Sequence, residues 1–291
     1  LFAGGQTSGG GTKYNTIDTI TITNTGNATD FGDLSTVLRF LAGVGSSSRG
    51  IFGGGNSNSG NVSTIQYVTF ASAGNTSSFG SLLSSISSLF SCSSATRGIF
   101  AGGGPNNVIQ YITMASTGNA SDFGDLTGDR AEAAGCASPT RGVFMGGYDG
   151  SIVPVSTIDY ITIASTGNAS SFGNISTATY SPAGCSSSTR GLIAGGTSVP
   201  SYTETNTIEY VTIASTGNAT DFGDLTQGRS NTAGASSEIR AVFGGGAVGG
   251  AQTNTLDYVT IASAGNASDF GDLTVSRLGL AGASNAHGGL Q

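Results

Sequence analysis

"STGNATDFGDL", residues 215–225, holds the triplet Asp-Phe-Gly, which in a protein kinase sets a carboxylate on magnesium. The phrase returns as "NTGNATDFGDL" (24–34), "SAGNTSSFGSL" (72–82), "STGNASDFGDL" (116–126), "STGNASSFGNI" (165–175) and "SAGNASDFGDL" (263–273). Two copies carry Ser78 and Ser171 in place of the first Asp, and no Gly-rich loop with a partner lysine accompanies any of them. A catalytic motif occurs once per active site, so this repetition calls first for an architectural explanation. "GGGTK" (9–13) is no phosphate loop, because the Gly-Lys-Ser/Thr ending is missing.

Three cysteines, Cys92, Cys136 and Cys185, with the single His287 could make a Cys₃His zinc set. Zinc ligands normally come as close pairs, however, and each cysteine here stands alone, five residues before a repeated arginine. The equivalent places elsewhere hold Val44 and Ala235, which reads as a small buried apolar position. An odd set of widely separated cysteines is also a poor disulfide framework. A lone histidine near the end of the chain makes a Ser-His-Asp triad improbable. No metal, no cofactor and no catalysis are expected.

Arg49, Arg97, Arg141, Arg190 and Arg240 recur once per repeat and would ring one face. They could form a carboxylate-binding rim. Alternatively, each could pair with acids or cap backbone carbonyls between repeats, and recurrence in every unit favours packing. Six of the eight Asn-x-Ser/Thr sequons, Asn27 and Asn218 among them, fall in the repeated turn, where turn chemistry accounts for the asparagine.

The elements that must position these groups follow from the repeat. Phe31, Phe79, Phe123, Phe172, Phe222 and Phe270 recur every 44–50 residues, a period that points to β-propeller blades. Twelve residues before each stands Thr19, Tyr67, Tyr111, Tyr160, Tyr210 or Tyr258, so insertions fall outside a rigid Tyr-to-Phe hairpin. The hairpin units are 16–34, 64–82, 108–126, 157–175, 207–225 and 255–273. Four short strands make each repeat, as in "RGVFMGG" (141–147), "TIDYITIAS" (157–165), "ASSFGNIS" (169–176) and "AGCSSST" (183–189), the last opening the following repeat. Both parities of "TIDYITIA" are β-branched or aromatic, which suits a strand buried on both faces. In "DFGDL" the Phe is expected between blades, and the Gly where the strand bends or meets its neighbour. The Asp residues are expected in solvent at the outer edge, deterring edge pairing.

The chain opens at Leu1 inside a strand pattern with no initiator Met, which predicts a processed or excised piece. "LFAGG" matches the second half of a "RGVFMGG" strand, and "LAGASNAHGGLQ" at the other end aligns with "TAGASSEIRAVF" (232–243). The C-terminus is therefore expected to complete the first blade. The expected fold is all-β: one six-bladed β-propeller of four-stranded blades over 1–291, its ring closed by that strand.

Gly doublets after an apolar strand (Gly4-Gly5, Gly54-Gly55, Gly102-Gly103, Gly146-Gly147, Gly195-Gly196 and Gly245-Gly246) resemble those of kelch-type, galactose-oxidase-like propellers. The chain departs from that pattern in having no Trp and a wider aromatic spacing. The wording "NTIDYITIASTGNATDFGDL" and "TRGVFMGG" is similar to repeat-bearing virion structural proteins of marine tailed phages, especially cyanophages. That resemblance implies a virion location and a non-enzymatic tail, fibre or decoration role, contacting other virion proteins or a host-surface glycan or protein. The alternative is an extracellular or surface lectin of the same fold.

Composition fits a folded, turn-rich chain: 9% charged residues against about 25% in ordinary proteins, 49 glycines, yet 37% hydrophobic. A net charge of −7 argues against nonspecific nucleic-acid or anionic-membrane binding, and no apolar run is long enough for membrane insertion as a helix. Variation concentrates in the connections after the doublets: 6–15, 56–63, 105–107, 148–156, 197–206 and 247–254. Such loops emerge on one face of a propeller. Tyr14, Tyr148, Asp149, Tyr202 and Glu204 are the groups suited to stacking on sugars or docking a protein, with ordinary loop drift the competing explanation.

Overall fold

The structure, a computed structural model, describes residues 1–104 and 106–290; Pro105, in the shortest variable connection, lies outside them. The described chain is all-β, with two 3-10 turns at Ser8–Gly10 and Gly288–Leu290. Six antiparallel sheets of four strands carry the repeats. The fourth, typical of the set, is Ala134–Ala137, Arg141–Met145, Thr157–Thr162 and Ser170–Asn174. The second, third, fifth and sixth sheets repeat this order over 42–81, 90–125, 183–224 and 233–272. The first sheet joins Thr29–Asp33, Thr16–Thr19 and Phe2–Ala3 to Ala281–Gly282 from the far end of the chain, with Phe2 opposite Gly282 and Ala3 opposite Ala281. The second strand ends short of its sequence pattern, because the Gly doublet that follows turns with positive φ (Gly146 +67°, Gly147 +95°).

Hydrophobic cores lie between sheets. One cluster joins each consecutive pair, and a sixth joins the sixth sheet to the first through Phe2, Val242, Leu256 and Phe270. Phe222 is buried between the fifth and sixth sheets, edge-on to Tyr210 at 6.0 Å. Between the third and fourth strands every sheet has the same register shift, at Ile208/Glu209 in the fifth. This bulge swings the residue before the Tyr position into the interface with the preceding repeat.

The glycine of "DFGD" has a definite task. A Cβ on Gly32 would collide with the carbonyl of Gly74 in the next repeat's turn, and Gly223 meets Gly265 in the same way. That turn covers the outer strand: Gly74 N donates to Phe31 O at 2.7 Å, and Asp33 N donates to Asn75 Oδ1 at 3.0 Å. The same asparagine bond recurs at all six places, closing with Asp272 N on Asn27 Oδ1 at 3.1 Å. The outer edge is thus capped by neighbouring turns, rather than guarded by charge alone as the sequence suggests; Asp221 stays exposed. The sequon asparagines spend their side-chain oxygens on these contacts.

Buried ion pairs add a second link. Arg130–Asp159 and Arg229–Asp257 meet at 2.7 Å and Arg277–Asp18 at 3.0 Å, each joining one sheet's exit to the next sheet's third strand. Each arginine lies seven residues after the repeated Phe, and each aspartate occupies the bulge. In the other interfaces the same two positions hold Leu38 and Gln66, Ile86 and Gln110, and Thr179 and Glu209.

Candidate binding face

Antiparallel order puts the post-doublet connections and the exits of the fourth strands at one end of every sheet. At the middle of that end, Phe40, Ser88, Glu132, Ser181, Asn231 and Gly279 all adopt left-handed φ between +51° and +66°. Each donates its N–H to the carbonyl of the one before: Ser88 to Phe40, Glu132 to Ser88, Ser181 to Glu132, Asn231 to Ser181, Gly279 to Asn231, and Phe40 to Gly279, at 2.7–3.0 Å. This cycle of six backbone bonds fixes Phe, Ser, Glu, Ser, Asn and Gly at equivalent positions around a small cavity of about 100 Å³. Below it the first strands are in tight contact. A Cβ on Gly184 would strike Gly135 O, and one on Gly282 would strike Gly234 O.

Glu132 is the one ionisable member of the cycle. Its carboxylate accepts hydrogen bonds from Ser88 Oγ at 3.2 Å and from Ser181 Oγ. Burial raises its pKa, and the two hydroxyls oppose the rise without cancelling it. Tyr148 lies beside it, its backbone paired with Ala131 and its ring edge-on to Tyr180 at 6.1 Å. Burial and then the charge of Glu132 push the Tyr148 phenol up.

The remaining sequence candidates are spread over this end. Tyr14 is half-buried and fixed through its backbone to Gly5 and Leu38. Asp149 turns inward to its own loop, its Oδ1 accepting from Ser151 N and Val153 N, both at 2.9 Å. It also lines an open groove of about 510 Å³ with Asp129, Ser151 and Val155. Tyr202 is 65% exposed at a loop tip, while Glu204 is half-buried and pairs with Thr197. Among the described residues no hydrogen bond or ring contact joins Tyr14, Tyr148 and Tyr202. Sequence reasoning passed over Ile152 and Val153, which are 74% and 54% exposed. The run "SIVPV" in a polar loop was the available signal.

The opposite end is nearly uniform. Arg141 lies over the Tyr160 ring at 4.4 Å and donates to Ile213 O of the following sheet at 2.9 Å. Arg49, Arg97, Arg190 and Arg240 do the same on Tyr67, Tyr111, Tyr210 and Tyr258, and each reaches a carbonyl of the neighbouring repeat. The repeated arginine therefore caps carbonyls, one of the two roles its spacing allowed. The first sheet has Thr19 at the Tyr position. Cys92, Cys136 and Cys185 point into sheet interfaces, Cys92 against Gly142 and Cys136 against Gly191, and burial pushes all three thiols up. His287 sits among the first strands at this end, with Nε2 2.9 Å from Gly45 O and Nδ1 accepting from Gly289 N at 3.1 Å.

No protein-family model matches the chain, and no curated protein is significantly similar to it.

Proposed function

We propose that the six sheets are the blades of one six-bladed β-propeller over residues 1–291, closed by pairing of Phe2–Ala3 with Ala281–Gly282. In this reading the protein is a non-enzymatic structural and binding module of a phage virion, offering its loop face to a receptor or a neighbouring virion protein. Six inter-sheet cores and the six-membered backbone cycle support the architecture. One observation carries the binding reading: equivalent positions differ on the loop face, from Phe40 to Glu132 to Gly279, while the opposite end repeats the same Arg–Tyr pairs and Asn turns. Repeat proteins place recognition where their units diverge. The virion assignment rests on the resemblance of the repeat wording.

A lectin is the second reading. It is favoured by the mouth itself, where a carboxylate and two hydroxyls sit beside Tyr148 and Tyr180. Mass spectrometry of purified tailed-phage particles, with blocking of adsorption by an antibody to the Tyr202 loop, tests the first reading. Presence in particles and blocked adsorption support it. Absence from particles, together with glycan-array binding lost on Glu132→Gln, replaces it with the lectin.

A further inference from the structure

Three inter-sheet interfaces bury a guanidinium in one recurring cradle. Arg229 Nη2 meets Asp257 Oδ2 at 2.7 Å and Phe243 O at 3.2 Å, while Nη1 reaches Gly245 O at 3.2 Å and Thr255 O at 2.7 Å. Arg130 uses Asp159, Phe144 O and Thr157 O in the same way, and Arg277 uses Asp18 and Phe2 O. Where the arginine gives way to Leu38 or Ile86, the carboxylate gives way to a neutral amide, Gln66 or Gln110. All five of these interfaces keep the two positions matched, charge with countercharge or apolar group with amide.

The interface between the fourth and fifth sheets breaks this coupling. Thr179 stands at the arginine position, and its hydroxyl turns back to Thr177 O at 2.9 Å. Glu209 nevertheless retains a carboxylate, 7% exposed, whose hydrogen bonds among the described residues come only from Ser176 N, at 3.1 and 3.3 Å. Between Thr179 and Glu209 lies a cavity of about 100 Å³, lined also by Ile193, Gly195 and Thr207. These three occupy the repeat positions of Phe243, Gly245 and Thr255, whose carbonyls hold Arg229. A buried carboxylate facing carbonyl dipoles favours a cation, and planar geometry with several donors favours guanidinium over a spherical ion.

We infer that this cavity is a binding site for a guanidinium group supplied from outside the chain, either as a free small molecule or as an arginine side chain of a partner. Ser198 and Thr205 of the variable 197–206 connection line its loop-face side, so a ligand would enter from there. The inference does not depend on the virion or lectin reading.

Calorimetric titration of the intact chain with methylguanidinium, and separately with a capped Gly-Arg-Gly peptide, tests it, with potassium chloride as the ionic-strength control. Saturable binding of either guanidinium probe is expected, and the tighter one names the source. Glu209→Gln should weaken binding by about tenfold or more, from loss of charge-assisted bonds. Thr179→Arg should abolish binding by filling the cradle from within while raising Tm. Because Glu209→Gln removes no packing volume, it keeps the test open if Thr179→Arg folds poorly. Absence of binding by both probes, equal heats from potassium, or unchanged affinity in Glu209→Gln overturns the inference.

Discussion

Arg229 and Asp257 belong to consecutive sheets, and their side chains meet at 2.7 Å with no solvent access to either. Burial pulls the arginine pKa down and the charge of Asp257 opposes that fall, while a guanidinium keeps its proton in proteins. Asp257→Ala leaves a buried cation unpaired and should cost about 3–5 kcal/mol in urea unfolding. Replacing both, Arg229→Leu with Asp257→Gln, imports the Leu38–Gln66 solution of another interface and should recover most of that loss. A double variant as unstable as the single one would show that the interfaces are not interchangeable.

The repeated hairpin makes a graded series. Phe222→Ala removes a buried aromatic between two sheets and should cost about 3–5 kcal/mol. Gly223→Ala drives a methyl into Gly265 O at φ +143°, so it should destabilise as well, by about 1–3 kcal/mol. Asp221→Ser should change stability by less than about 0.5 kcal/mol, since Asp221 is exposed and two repeats already carry serine there. Denaturant midpoints of the three variants check the order, and a large Asp221→Ser effect would return chemistry to the triplet.

Much of this was readable from spacing. The fixed twelve-residue separation of Tyr and Phe marked the third and fourth strands, and "LFAGG" with "LAGAS" marked the pairing of Phe2 with Gly282. The Arg130, Arg229 and Arg277 ion pairs were equally present in the sequence, seven residues after each Phe, but they lay in segments that looked like plain connections. Their meaning needed the bulge that turns Asp159 and Asp257 into the interface. The left-handed cycle carried no signal at all. Phe40, Ser88 and Glu132 have no intrinsic preference for positive φ, and the backbone bonds to their neighbours impose it.

Binding should follow the loop face. Tyr148→Ala combined with Tyr202→Ala should weaken attachment by about 2 kcal/mol or more, as for aromatic anchors. Arg97→Ala, on the opposite end, should lower Tm and leave affinity unchanged, because its guanidinium serves Ile163 O. Glu132 adds a pH signature. Its pKa is raised in the folded state, so between the usual 4.5 and the raised value the native chain binds the extra proton. Stability therefore falls as pH rises through that window. Glu132→Gln should raise Tm at pH 7 and remove that fall, read by Tm against pH; an unchanged profile would mean that the mouth is more open to water than its geometry indicates.

His287 titrates with the opposite sign. Its pKa lies below the usual 6.5, chiefly through burial, with Gly45 O and Glu238 opposing. The bonding pattern gives a further reason. Nδ1 accepts the Gly289 N–H, so the neutral ring must carry its proton on Nε2 toward Gly45 O, and a second proton on Nδ1 would face Gly289 N–H head-on. The unfolded chain therefore binds more protons between the depressed value and 6.5, and stability present above pH 6.5 is lost as pH falls through that window. Gly288 and Gly289 pack against Ser187 and Ser93, so the first consequence should be release of the Gly288–Leu290 turn from the ends of the first strands. The protection factor of the Gly289 amide, corrected for intrinsic exchange, should fall below pH 6.5 in the wild type, while Phe222 and its strand stay protected. His287→Gln should exchange at one pH-independent protection level over the same range. Equal pH dependence in both proteins would place the titrating group elsewhere and overturn the assignment to His287.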